Sequence, residues 1–198
     1  MCFNSYTSLL TFSIGCFFSL LLIHTKNKKY MLENKITGIF FIFISFIQFM
    51  DFIFWNDIDN KIGINKIASI LGPFLNVLQP VILYLIKIYY YRPNILTPYN
   101  LIFALINLLY FILYIKTYIS FITSYVLVTT KENGHLRWPW IKYSYSYFYV
   151  ILLAINIFYL FKIKYSILLF TITYIMLYIS FKYFNYNIGE LWYFFGAF

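Results

Sequence analysis

Residues 36–55 read ITGIFFIFISFIQFMDFIFW. One charge, Asp51, interrupts about twenty residues, and as a helix rising about 1.5 Å per residue the run extends about 30 Å. That length matches the hydrocarbon core of a bilayer, which about 20 mostly apolar residues cross. A surface helix of a soluble protein would show a charged face on the side away from its core. Here charge is almost wholly missing, so the solvent is lipid. Backbone groups in lipid must be satisfied within the segment, which makes the run a transmembrane helix.

Similar blocks recur on both sides. Upstream, span one covers about Thr7 to His24, and the joint Thr25–Lys35 carries Lys26, Lys28, Lys29 and Lys35. The first span lacks a basic leading region and a small-residue cleavage site, and its apolar run is too long for a signal peptide. Downstream, the joint Asn56–Lys66 holds Asp57, Asp59, Lys61 and Lys66. Span three covers about Ile67–Tyr90 and is broken in its middle by Gln79-Pro80. Arg92-Pro93-Asn94 makes a sharp reversal, and span four runs from Pro98 to about Tyr114.

The longest joint is Lys116–Lys142. Its part Tyr118–Val128 is suited to lying flat in the interface, Lys131 to His135 is the best turn in the chain, and Trp138-Pro139-Trp140 has the composition of a membrane-edge anchor. Spans five and six cover about Tyr143–Phe161 and Tyr165–Tyr183, joined by Lys162-Ile163-Lys164. The tail Asn185–Phe198 is a half-span unless it continues span six past a kink. The expected fold is an all-α integral membrane protein of one domain, residues 1–198: six transmembrane helices plus a carboxyl-terminal half-span that could count as a seventh.

Composition agrees. The chain is 63% hydrophobic and 11% charged, against about 45–50% and about 25% in soluble domains. The net charge of +9 comes from Lys and Arg scattered at span ends, with no basic stripe to neutralise a run of phosphates, so nucleic acid is not an expected partner. The bilayer is. Alternating joints place Lys26–Lys35, Arg92 and Lys162–Lys164 on one side, with Asp57–Lys61 and Lys131–Arg137 on the other. The positive-inside count is eight against seven. The lysines after span one favour an outside amino terminus.

Polar groups inside spans carry what functional signal there is. Gln48, Asp51 and Trp55 share one helix face. A carboxylate in mid-membrane costs about 2.5–3.5 kcal/mol on insertion scales, so Asp51 must face protein or water. It is either a polar-ligand or proton site, or a structural carboxylate bonded to a neighbouring helix. Asn76, Gln79 and Pro80 form a second cluster. Pro80 removes a backbone donor and frees the Asn76 carbonyl, as at a transporter's broken helix; the same kink is also compatible with a purely structural role. Glu190, with Trp192 beside it, reads either as the mouth of such a site or as a solvated helix cap. Asn107 and Asn156 read as interhelical glue.

Catalytic constellations are missing. The only histidines are His24 and His135, no His–x–x–x–His, Gly–x–Ser–x–Gly or Gly-rich phosphate loop occurs, and Cys2 and Cys16 form no motif. No metal or cofactor is implied. The leading expectation is a bundle that binds or passes a small polar ligand, lined by Asp51, Gln48, Asn76 and Gln79, with Glu190 and Trp192 near its mouth. The alternatives are a ligand-free structural or interaction protein, and a lipid-modifying enzyme with Asp51 or Glu190 as base.

The pattern Met1-Cys2-Phe3-Asn4 with Ser8-Leu9, Gln48-Phe49-Met50-Asp51-Phe52 with Trp55, Gln79-Pro80, and Gly189-Glu190-Leu191-Trp192 resembles a family of small polytopic membrane proteins of giant DNA viruses, with relatives in bacteria and protists. The chain departs from it at Phe3, where the family has Trp, at Asp51, commonly Glu, and at Tyr193, where the family has Cys, so the resemblance implies no pairing of Cys2 with the carboxyl end. It implies a mimivirus-like source and a virion or host endomembrane, in line with the AT-rich residue usage, and no particular activity.

Overall fold

The computed structural model describes residues 4–26, 29–132, 134–143 and 146–184. Cys2, Glu190, Trp192 and the rest of the tail lie outside the described residues. The described chain is mostly helical: α1 (Ser5–Ile23), α2 (Met31–Asn56), α3 (Ile64–Asn76), α4 (Gln79–Tyr91), α5 (Pro98–Ile122), a small hairpin of β1 (Thr130–Glu132) and β2 (His135–Arg137), a 3-10 turn (Pro139–Tyr143), α6 (Ser146–Leu160) and α7 (Ile163–Phe184).

Three helices, α1, α2 and α5, are long and apolar enough to cross a membrane. The pair α3 and α4 passes the same test together, bent by 55° at its break. Shorter apolar stretches lie in α6 (Phe148–Tyr159) and α7 (Ile163–Ile175).

The packing is inside out by the standard of a soluble protein. In α1 the buried residues are Ser8, Thr11, Gly15 and Ser19, while Leu9, Leu10, Phe17, Phe18, Leu20 and Leu21 are exposed. Small residues three and four apart form one helix face, and that face meets α2. Between helices in lipid there is no hydrophobic gain from hiding Leu, so close approach of small residues sets the interface. An added Cβ at Gly38 would stand 2.6 Å from the Ser19 carbonyl oxygen. That oxygen is backbone and cannot rotate away, so Gly38 fixes the spacing of α1 and α2. α5 likewise exposes aliphatic residues, Leu101, Leu105, Leu108, Ile112 and Ile119, but the residues it buries are larger, Asn107, Tyr110, Tyr114 and Phe121.

The break between α3 and α4 is where Gln79-Pro80 predicts it. α3 ends at Asn76 and α4 begins at Gln79. Pro80 therefore sits in the first turn of a new helix, where its missing N–H would be unpaired anyway. The bond an interior proline removes is not lost, because the helix restarts around it.

Contacts between joints sort them into two ends. At one end Glu33 meets Lys162 at 3.6 Å, Tyr30 meets Tyr165 with ring centroids 5.8 Å apart, and Lys35 lies over Tyr90. At the other, Asn65 bonds Thr129 and Lys131 lies over Trp55. The first and fifth joints thus lie together with the end of α4, and the second lies with the fourth.

Two expectations about the long joint are corrected. Tyr118–Ile122 is not a separate segment: α5 continues to Ile122, well past Tyr114, because Ile115, Tyr118, Ile119 and Ile122 extend the same apolar helix. Trp138-Pro139-Trp140 is not an edge anchor. Both indoles are buried, at 2% and 3% exposure, and the segment inserts among α2, α3 and α5.

Candidate functional site

Asp51 stands on the buried face of α2 with Gln48 one turn before it, exposed 0% and 1% respectively. Its Oδ1 accepts a hydrogen bond of 3.1 Å from Nε1 of Trp138. Trp138 stacks on Trp140 with centroids 5.2 Å apart, and Trp140 meets Phe54 and Phe121. The insertion depends on Gly72 of α3, where an added Cβ would fall 2.4 Å from the Trp140 ring. Half-buried Asn76 borders the same region. With Met50, Gly72, Trp138 and Trp140, among others, it lines a gap of about 180 Å³ that is too narrow for a water molecule.

Gln79 belongs to a different group. Its Oε1 accepts a 2.5 Å bond from the Tyr149 hydroxyl of α6, and its amide donates to the Leu75 carbonyl at 3.1 Å. The carbonyls around the break are taken up by neighbouring helices: Tyr110 donates to Val77 at 2.8 Å and Asn156 to Pro80 at 2.8 Å. Asn156 and Asn107 also bond each other reciprocally, at 2.9 and 3.2 Å. Asn107 of α5 and Asn156 of α6 are thus one pair, and the pair holds the bend.

Of the expected site residues, Asp51 and Asn76 both border the Trp138 segment. The described bonds of Asp51 and Gln79 run to different partners, Trp138 and Tyr149. Glu190 and Trp192 fall outside the described residues.

A third polar group lies at the end of the bundle and was not expected. Asn65 uses all four positions of its amide. Nδ2 donates to the carbonyls of Asp57 and Thr129 at 3.1 and 2.9 Å; Oδ1 accepts from the Thr129 N–H and the Ser69 hydroxyl at 3.0 and 3.1 Å. Ser69 and Thr129 share a 2.8 Å hydroxyl bond. Asn65, Ser69 and Thr129 are fully buried. The clasp fastens the long joint to α3. Asn65 and Ser69 are one turn apart, a legible pair, but nothing in the sequence ties them to Thr129.

Asp57 closes the joint between α2 and α3, its Oδ1 and Oδ2 accepting from the N–H groups of Ile62 and Asn65 at 3.0 and 3.1 Å. Burial works against its charge, but these and other backbone N–H groups outweigh it and hold the carboxyl below the usual carboxylate range. A lowered folded pKa gives stability that is present above the unfolded value of about 3.9 and is lost as pH falls through the lowered value. Thermal unfolding in detergent should therefore be insensitive to pH from neutrality to about 4 on account of this group and weaken below. In Asp57→Asn that acid-dependent component should disappear; an unchanged acid limb would assign it to another carboxylate.

No protein-family model, curated protein or solved structure matches this chain. Among the described residues no three His, Cys, Asp or Glu side chains are grouped to hold a metal ion.

Proposed function

We propose that this is a multi-pass integral membrane protein of six crossings, α1, α2, the bent α3–α4 pair, α5, α6 and α7, whose closed interior serves a structural or interaction role. The observation that carries the reading is how the mid-span amides are used. Gln79, Asn107 and Asn156 bond one another's helices across the bundle, and the carbonyls at the break are bonded by Tyr110 and Asn156. A conducting site at a broken helix would turn such groups toward a wet cavity. The sorting of joints into two ends supports six crossings, with the exposed Leu, Ile and Phe of α1 and α5 facing lipid.

The test is reconstitution into phosphatidylcholine vesicles, with proton, potassium and small neutral-solute leak measured against protein-free vesicles. Equal leak is expected, unchanged in Asp51→Asn. Saturable flux that Asp51→Asn abolishes would replace this reading with the polar-ligand one. That second reading is favoured by one observation, the fully buried Asp51 carboxyl beneath Trp138.

A further inference from the structure

Among the buried polar atoms with no hydrogen-bond partner among the described residues are the Tyr114 hydroxyl and Trp140 Nε1. Their residues are 4% and 3% exposed. Both residues line one recess between α3, α5 and the 3-10 turn, with room for about one water molecule and a mouth partly open to the bundle surface. None of the other lining residues bonds them. Pro73, Val77 and Phe121 carry no polar side-chain atoms. Thr117 donates to the Tyr114 carbonyl at 2.8 Å, and the Tyr118 hydroxyl donates to the Ile70 carbonyl at 3.3 Å.

An indole N–H is a donor only, and a phenol is a donor first. Burying either unbonded is unfavourable, and two such residues on one recess call for one explanation. Tyr114 is eight residues from the end of α5, about 12 Å along the axis.

We propose that this recess is a binding subsite for a single uncharged acceptor oxygen, held by the Tyr114 hydroxyl and Trp140 Nε1. Its source is either a lipid ester carbonyl entering through the open side or a resident water. Thr117, Tyr118 and Phe121 form the wall that gives it shape. The subsite is independent of whether the bundle interior conducts.

The test uses the full chain labelled with ¹⁵N-indole tryptophan, in bilayers of diester or diether phosphatidylcholine, with the Trp140 signal assigned by its loss in Trp140→Phe. A hydrogen-bonded indole shift in diester bilayers that disappears in diether bilayers identifies the lipid carbonyl. A bonded shift in both, with magnetisation transfer from water, identifies water. Both outcomes support the subsite. An unbonded indole in both lipids overturns it, as does a bonded signal in both without contact to water, which would assign the acceptor to a protein group. Tyr114→Phe gives a second readout. Removing a satisfied hydroxyl should lower Tm by about 2–4 °C; a rise would show that the hydroxyl has no acceptor and would overturn the subsite.

Discussion

Replacing Trp138 by alanine is expected to cost about 3–5 kcal/mol, the range for removing a buried Trp or Phe from a core. Trp138 is 2% exposed, stacks on Trp140 and donates to Asp51, so the substitution empties a volume between α2 and α3 and takes a donor from a buried carboxyl oxygen. For a chain of this size each kcal/mol moves Tm by about 2–4 °C, so the fall should be plain in detergent. Trp138→Phe separates the two effects. It keeps most of the volume and removes only the N–H, and should cost about 1–3 kcal/mol. Trp138→Ala with an unchanged Tm would mean that the indole belongs at the membrane surface, as the sequence suggests.

That contrast shows where sequence reading stops. The residues of α2 decide its environment on their own, because twenty apolar residues in lipid have few other conformations. The bend at Gln79-Pro80 is legible too, since proline's missing donor is a local fact. So is the stripe Ser8, Thr11, Gly15 and Ser19, whose three- and four-residue spacing marks a close interface once lipid is taken as the solvent. Trp138 and Trp140 are different. Tryptophan near a turn suits both an interfacial belt and a buried insert, and the choice between them is made by Gly72, more than sixty residues earlier. The polar pairs follow the same rule. That Gln79, Asn107 and Asn156 need partners is clear from their types; that Gln79 finds Tyr149 and the two asparagines find each other depends on how the helices cross.

Loss of the Asn65 amide should be the most damaging change outside the spans. In Asn65→Ala the carbonyls of Asp57 and Thr129 each lose the donor that Nδ2 supplies. At about 1–3 kcal/mol for each buried group left unbonded, the sum is about 2–6 kcal/mol. Ser69→Ala should cost less, about 0.5–1.5 kcal/mol, because Asn65 still accepts from the Thr129 N–H. Hydrogen exchange separates a local from a global effect. The Thr129 amide donates to both Asn65 and Ser69, so its exchange should accelerate strongly in Asn65→Ala and modestly in Ser69→Ala. The amides of α1, remote from the joint in the packing order, should keep their protection. If the clasp also aims the Trp138 segment, Asn65→Ala should raise the exposure of the indoles of Trp138 and Trp140 to an aqueous quencher. Accelerated exchange at Thr129 with unchanged quenching would show that the insert is held by Asp51 and Gly72 alone, and that the clasp only ties down the joint.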